Sequence, residues 1–159
     1  MANRILEEIR QSRPFQDSRE EAALNILRTA DALKRGLDLL LKRHGITSAQ
    51  YNVLRILRGA GAEGLNCSGI AERMITAEPD VTRLLTRMES LGLLTRRRDS
   101  NDRRLVTATA TERGLQLLKE VAQPLRALQE HQFALLNQDA LERLIAGLEK
   151  VRESIARAD

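Results

Sequence analysis

Aromatic residues and cysteines are scarce in this chain of 159 residues, which contains two phenylalanines, one tyrosine and no tryptophan. Proteins that bind RNA or single strands stack bases on aromatic side chains, so this composition argues against that class. The one cysteine, Cys67, allows neither an intramolecular disulfide nor a cysteine-based metal cluster, which fits a reducing compartment. We therefore predict a protein without a metal or other cofactor.

Long hydrophobic runs are also missing from the sequence. No apolar stretch approaches the ~20 residues that a membrane-spanning helix needs. The first ten residues, MANRILEEIR, carry charges where a signal peptide would need an apolar stretch. We therefore expect a cytoplasmic protein that does not enter a membrane. Its length suits one domain, or a compact core with an oligomerisation extension.

Residue patterns that would support catalysis are few. The chain has two histidines and one cysteine and lacks an H-E-x-x-H sequence, so no nucleophile and base can be assembled. The segment GAGAEG (59–64) matches the G-x-G-x-x-G of dinucleotide-binding proteins. That motif works only between a strand and a helix, whereas here it follows a predicted helix. We interpret it as a flexible connector and predict that the protein is not an enzyme.

Positive charge is concentrated in one segment of the chain. Residues 81–104 contain seven arginines and three carboxylates, a surplus equal to the formal net charge of the whole protein, +4. Five of these arginines lie in RRRDSNDRRL (96–105). A neutral body with one basic segment is typical of a protein that binds a polyanion, although a solvated charge run has the same composition.

Apolar residues spaced three and four apart predict six helices. The first runs from Ser18 to about Arg43, with Ser18 as its N-cap and Glu21 completing a capping box. Asn66 is a suitable N-cap for the third helix, and Gly92 should end the fourth. The other five helices are predicted over residues 48–58, 67–74, 81–91, 111–136 and 138–155. Within the fifth, Pro124 should introduce a kink.

The fourth predicted helix has two distinct faces. Its apolar positions are Val81, Leu84, Leu85, Met88 and Leu91, and Pro79 suits its first turn. Its outward positions are Thr82, Arg83, Thr86 and Arg87. The period then changes to two, which predicts strands over 94–98 and 104–109 joined by DSND. Together these features predict a winged helix-turn-helix, a mainly α fold with a small β-hairpin wing.

Several segments resemble the MarR family of bacterial transcription regulators. They are ITSAQYNVLRIL (46–57), IAERM (70–74), PDVTRLLTRMESLGLLTRRR (79–98), DRR (102–104) and TATERGLQLL (109–118). The resemblance implies a homodimer, with residues 18–45 and 112–157 forming a helical dimerisation region. Residues 46–111 would form the winged DNA-binding domain. The implied partner is double-stranded DNA with a pseudo-palindromic operator, and repression is the commoner mode.

The resemblance also implies roles for individual residues. Arg83 corresponds to an arginine that contacts the major groove, Arg104 to one that enters the minor groove, and Asp102 to an acid that shapes the wing. Arg97 and Arg103 would contact the DNA backbone. The predicted DNA-binding set is Thr82, Arg83, Thr86, Arg87, Arg97, Asp102, Arg103 and Arg104.

Many family members release DNA when a small aromatic or phenolic anion binds between the dimer helices and the winged lobe. The residues predicted for that site are Leu37, Leu41, Arg43, His44 and Tyr51. Two alternatives remain open: an oxidant-sensing regulator that uses Cys67, and a nucleoid-associated protein indifferent to sequence. Because Cys67 takes an inward helical position beside Ile70, we expect it to be structural.

Overall fold

The computed structural model describes residues 4–98 and 106–157. Helices and strands alternate unevenly along these ranges: α1 (Arg4–Glu8), α2 (Ser18–Arg43), α3 (Ser48–Ala60), β1 (Leu65–Asn66), α4 (Cys67–Ala71), α5 (Val81–Ser90), β2 (Leu94–Arg98), β3 (Val106–Ala110), α6 (Glu112–Gln132) and α7 (Gln138–Ala156). The chain divides into two compact units, Met1–Pro124 and Leu125–Asp159. None of the helices in the described ranges is long and apolar enough to span a bilayer.

The helix starts follow the capping chemistry of the sequence, with one correction. Asp17 and not Ser18 caps α2, since its carboxylate accepts the Arg19 N–H at 2.9 Å and Ser18 is the first helical residue. Aspartate and serine are equally good N-caps, so the sequence pattern could not separate the two neighbours. Asn66 caps α4 as predicted, with its side chain accepting the Gly69 N–H at 2.8 Å.

Two helices end earlier than expected: α4, and α6, which ends at Gln132 and not at residue 136. Helix α4 ends at Ala71 and continues as a turn, whereas the periodicity predicted a helix to residue 74. Pro79 lies before the cap of α5 and not in its first turn, because Asp80 takes the cap and accepts the Arg83 N–H at 2.8 Å. Gly92 follows the end of α5 with a φ of 69°, which is the left-handed conformation that glycine adopts at little cost.

The predicted antiparallel pairing of β2 with β3 is confirmed, and β1 adds a third strand to the sheet. Its strand order is β1-β3-β2, with Ala108 of β3 opposite Leu65 on one side and Arg96 on the other. Strand β1 follows a 3₁₀ turn at Gly61–Glu63 and Gly64, whose φ is 66°. A Cβ at Gly64 would lie 2.6 Å from the Thr109 side chain. The segment 59–64 therefore has a defined structure and passes close to the sheet at Gly64. The prediction of a flexible connector was wrong.

The core of Met1–Pro124 lies where α2, α3, α4, α5, the sheet and α6 meet. Its fully buried side chains are Leu41, Val53, Leu54, Leu57, Ile70, Met88, Leu94 and Val121. The inward face predicted for α5 is confirmed at Val81, Leu85 and Met88. Leu91, however, lies beyond the end of α5 and is 40% exposed, so its assignment to the buried face was wrong.

Helix α7 lies in the second unit and keeps its apolar positions accessible. Asn137 caps it by accepting the Ala140 N–H at 2.9 Å. None of its side chains is buried within the described chain, and its exposed apolar residues are Leu144, Ile145, Val151 and Ile155. Exposed apolar residues that recur along one helix are typical of interaction surfaces.

Candidate DNA-binding interface

Helix α5 presents a polar face opposite its buried one. Because Val81, Leu85 and Met88 are held in the core, the positions between them point outward. All four residues predicted on that face are exposed: Thr82, Arg83, Thr86 and Arg87. The Thr86 hydroxyl donates to the Thr82 carbonyl at 2.9 Å. The donors that reach furthest from this face are therefore the guanidinium groups of Arg83 and Arg87.

Side-chain contacts from α3 and α4 hold this helix and the turn before it. Cys67, the first residue of α4, places its Sγ 3.5 Å from the Thr82 Oγ1 in the first turn of α5. Asn52 of α3 accepts the backbone N–H of Ile75 at 2.8 Å, which fixes the turn between α4 and α5. Helices α4 and α5 with this turn form a helix-turn-helix, in which the second helix is the one that enters a DNA groove.

The strands of the sheet place arginines beside this motif. Arg97 and Arg98 of β2 are exposed, whereas Arg96 is partly buried and paired with Glu89 of α5. The hydroxyls of Thr95 and Thr109 lie 3.0 Å apart across the β2–β3 pair. Three predicted DNA-binding residues, Asp102, Arg103 and Arg104, lie outside the described residues.

The exposed arginines give this side of the protein a positive surface. No carboxylate of the described residues forms an ion pair with Arg83, Arg87, Arg97 or Arg98. Arginine is suited to both parts of DNA recognition, because its fork of donors matches a guanine edge or a phosphate. An arginine-bearing helix face beside an arginine-bearing strand is therefore able to contact bases and phosphates of one duplex.

Comparison with known proteins identifies the family to which this motif belongs. The MarR family model matches residues 46–106, which include the helix-turn-helix and the first strands of the sheet. The chain is 37% identical in sequence to a MarR transcription factor from Planctomyces limnophilus whose crystal structure is known. That alignment covers 86% of this chain and 98% of the other, with a TM-score of 0.67. The chain belongs to the MarR family.

Two further relatives are transcription regulators with a stated target. The homoprotocatechuate degradative operon repressor of Escherichia coli is 30% identical over 60% of this chain and 63% of the repressor. A mutant of MarR from Escherichia coli, solved in complex with operator DNA, is 26% identical, with a TM-score of 0.72. The alignment covers 79% of this chain and 89% of that one. These likenesses confirm the predicted family, the winged helix fold and a regulatory, non-enzymatic role.

The predicted effector residues of this MarR-family chain lie on α2, on α3 and in the connection between them. Leu41 is fully buried in the core, Leu37 is partly buried, and Arg43 is exposed at the end of α2. The Tyr51 ring lies 5.9 Å from the Arg55 guanidinium carbon, as in a cation–π contact. Of the five predicted residues, His44 alone lines the cleft described next.

A cleft of about 350 Å³ opens between the end of α2, the connection from α5 to β2, and the start of α6. Its lining residues are His44, Gly45, Ile46, Leu91, Leu93, Arg113, Gln116, Leu117 and Glu120. Sequence reasoning missed all but His44, because the others lie 47 or more residues after it or belong to the α2–α3 connection. No periodic pattern in the sequence links these segments.

Cys67 is partly buried and contacts the predicted DNA-binding residue Thr82. We expect Cys67→Ser to leave DNA affinity unchanged, because a serine hydroxyl can replace the thiol in its contact with Thr82. The measurement is a binding titration of both proteins before and after peroxide treatment. Oxidant that releases the wild type while the serine variant stays bound would show that the protein senses oxidants through Cys67.

Proposed function

We propose that this protein is a homodimeric repressor that binds a pseudo-palindromic operator in double-stranded DNA in the cytoplasm. The observation that carries the proposal is the exposed polar face of α5, with Arg83 and Arg87, beside the exposed Arg97 and Arg98 of β2. In winged helix-turn-helix proteins the second helix of the motif reads bases and the flanking elements hold the backbone. The 30% identical relative that represses an operon supports repression as the mode.

The proposal assigns different tasks to different residues. Thr82, Arg83, Thr86 and Arg87 face the major groove, where Arg83 discriminates between bases. Arg97 and Arg103 bind phosphates, which carry no sequence information. Arg104 enters the minor groove and Asp102 maintains the shape of the wing. The last assignments follow from the family motif, since residues 99–105 are outside the described ranges.

The dimer in this proposal is formed by residues 18–45 and 112–157, and residues 46–111 form the DNA-binding domain. Exposed apolar side chains on α2 and α7 support it, among them Leu27 at 66% and Ile155 at 58% exposed. Leaving so many apolar side chains in water is unfavourable, and a second copy would cover them. Two copies also supply the two reading helices that a pseudo-palindromic operator requires, with half-sites ~10 base pairs apart.

The effector in this proposal is a small aromatic or phenolic anion. The cleft beside His44 supports this assignment, because its volume of about 350 Å³ falls within the range of small-molecule sites. Leu91, Leu93 and Leu117 would contact an apolar ring, and Arg113 would pair with its anionic group. Glu120 also lines the cleft and would disfavour a ligand with several negative charges.

Arg83→Ala and Arg97→Ala test the separation of base reading from phosphate binding. The target is a duplex selected by this protein from a randomised pool, compared with a scrambled duplex of the same composition. We expect Arg83→Ala to cost about 1–3 kcal/mol per half-site on the selected duplex and little on the scrambled one. Arg97→Ala should weaken both and lower the salt slope by roughly one per lost contact. Binding titrations at several salt concentrations measure both effects.

Thr95→Ala provides a matched control, since its hydroxyl contacts Thr109 within the sheet and has no part in the proposed DNA contacts. It should leave both affinities close to those of the wild type. Equal weakening of the two duplexes by Arg83→Ala would contradict base reading by α5. If the protein binds DNA but the pool yields no enriched duplex, the result favours the nucleoid-associated alternative.

A further inference from the structure

Glu89 and Arg96 connect the end of the reading helix to the first strand of the wing. Glu89 lies in the last turn of α5, and its Oε1 accepts the backbone N–H of Arg96 at 3.0 Å. Its Oε2 accepts the Arg96 Nε–H at 2.8 Å and lies 2.7 Å from Nη2. One carboxylate thus contacts three nitrogens of a single residue in β2.

The backbone contact is unusual because it involves the free edge of the sheet. Strand β2 pairs only with β3 in the described sheet, so the amides on its other side have no strand partner. Glu89 supplies an acceptor to one of these amides from a helix. The Glu89 carboxylate thus contacts the backbone of β2 as well as a side chain. An ordinary surface ion pair joins side chains only.

The pair also separates Arg96 from the other arginines of the basic segment. The Arg96 side chain is 24% exposed, and its donors are directed to Glu89. Arg97 and Arg98, which follow it in the same strand, are exposed. The hydrogen bond from the Arg96 side chain lowers the pKa of the Glu89 carboxyl, which is therefore ionised at neutral pH.

Buried side chains also hold α5 and β2 together, since Met88 and Leu94 both lie in the core, and Glu89 adds polar contacts at the edge. The connection is short, but it passes through Gly92 with a φ of 69°. The Glu89 side chain is 37% exposed, so solvent screens the pair and its contribution to stability is small. The three contacts instead orient the strand relative to the helix, because one carboxylate holds both the backbone and the side chain of Arg96.

We propose that Glu89 and Arg96 are positioning residues that set the wing relative to α5, so that helix and wing fit the same DNA site together. Arg96 is then not a DNA contact, although it lies among arginines that are. This inference rests on the proposed function, since it concerns how sequence discrimination is achieved. It assigns to the pair a role in selectivity for one duplex and not in overall attraction to DNA.

Arg96→Lys and Arg97→Lys form the main test, because lysine keeps the charge but loses the planar guanidinium. A phosphate contact tolerates the change, so Arg97→Lys should retain most of its binding to both duplexes. Arg96→Lys should lose about fivefold to tenfold in affinity for the selected duplex, with the scrambled duplex and the salt slope unchanged. Arg96→Met should give the same pattern, since it also releases the wing without removing a phosphate contact.

Glu89→Gln separates positioning from electrostatics. Removing a negative charge near DNA strengthens binding to every sequence if charge alone matters. A positioning role predicts the opposite: Glu89→Gln should bind the selected duplex more weakly than the wild type, with an affinity close to that of Arg96→Lys. In the double variant, Glu89→Gln with Arg96→Lys, the loss should not exceed that of either single change, because the two residues act as a unit.

Amide hydrogen exchange at Arg96 provides a readout that does not depend on DNA. Its backbone N–H should be protected in the wild type and exchange faster in Glu89→Ala. If no duplex can be selected, the proposed function fails. Faster exchange in Glu89→Ala would still show that the contact between Glu89 and Arg96 exists. The positioning role is overturned if Arg96→Lys leaves the ratio of the two affinities unchanged, or if Arg96→Met lowers the salt slope as Arg97→Ala does. Circular dichroism checks that each variant is folded.

Discussion

Leu148→Glu should convert the protein into a poorly folded monomer that no longer binds DNA with useful affinity. Leu148 lies in the middle of the apolar positions of α7, between Ile145 and Val151, which are 55% and 46% exposed in the single chain. A carboxylate there would be buried without a partner in a dimer, which costs several kcal/mol. Loss of the second reading helix should reduce affinity for a two-half-site duplex by about 100-fold or more.

Light scattering at micromolar concentration and a DNA titration measure these two effects. Thermal unfolding should also become less cooperative, because obligate dimers often lack a stable folded monomer. Lys150→Glu is the matched control, since it introduces the same side chain two residues away on the exposed polar face. It should remain dimeric. A well-folded wild-type monomer, or a dimeric Leu148→Glu variant, would contradict the proposed dimerisation region.

Gly114→Ala should unfold the protein or destabilise it by about 3 kcal/mol or more, although alanine is the better helix former. Gly114 lies in the first turn of α6, where helix propensity alone would favour alanine by ~1 kcal/mol. A Cβ at this position, however, would overlap the Leu93 carbonyl oxygen and lie 2.8 Å from the Leu54 side chain. The backbone oxygen cannot move away, because it accepts the Thr111 N–H at 3.1 Å. The steric cost therefore exceeds the gain in propensity.

Gly59→Ala isolates the propensity effect from the steric one. Gly59 lies in α3, and nothing is within 4 Å of a Cβ built on it. This change should stabilise the protein by about 0.5–1 kcal/mol, the usual difference between the two residues in a helix. Denaturant unfolding of the two variants and the wild type gives the comparison. If Gly114→Ala were as stable as the wild type, the close packing of α6 on Leu93 would be wrong.

Local patterns in the sequence predicted α5 and its two faces. The apolar period placed Val81, Leu85 and Met88 inward, and that assignment was sufficient to place Arg83 and Arg87 on the exposed face. Such predictions succeed because each depends on residues three or four apart in one helix. The family motif extended them to the winged helix fold.

Features that join different helices and strands could not be predicted in this way. Strand β1 has only two residues, too few to show a period of two, and its partner Ala108 lies 43 positions after Leu65. The contact between Glu89 and Arg96 joins a helix to a strand, so neither helical nor strand periodicity reveals it. The cleft unites His44 with Leu93 and Arg113 from separate elements. These arrangements arise from tertiary packing.

The strand order of the sheet also bears on whether another molecule can pair with its edges. A sheet with open edges invites pairing with a neighbouring molecule, which leads to aggregation. Strand β1 offers a neighbour only two residues, fewer than stable pairing needs. At the other edge, Glu89 occupies an outward amide of β2, and the exposed charges of Arg97 and Arg98 repel an identical strand. The contact that we propose to orient the wing thus also disfavours extension of the sheet by another chain.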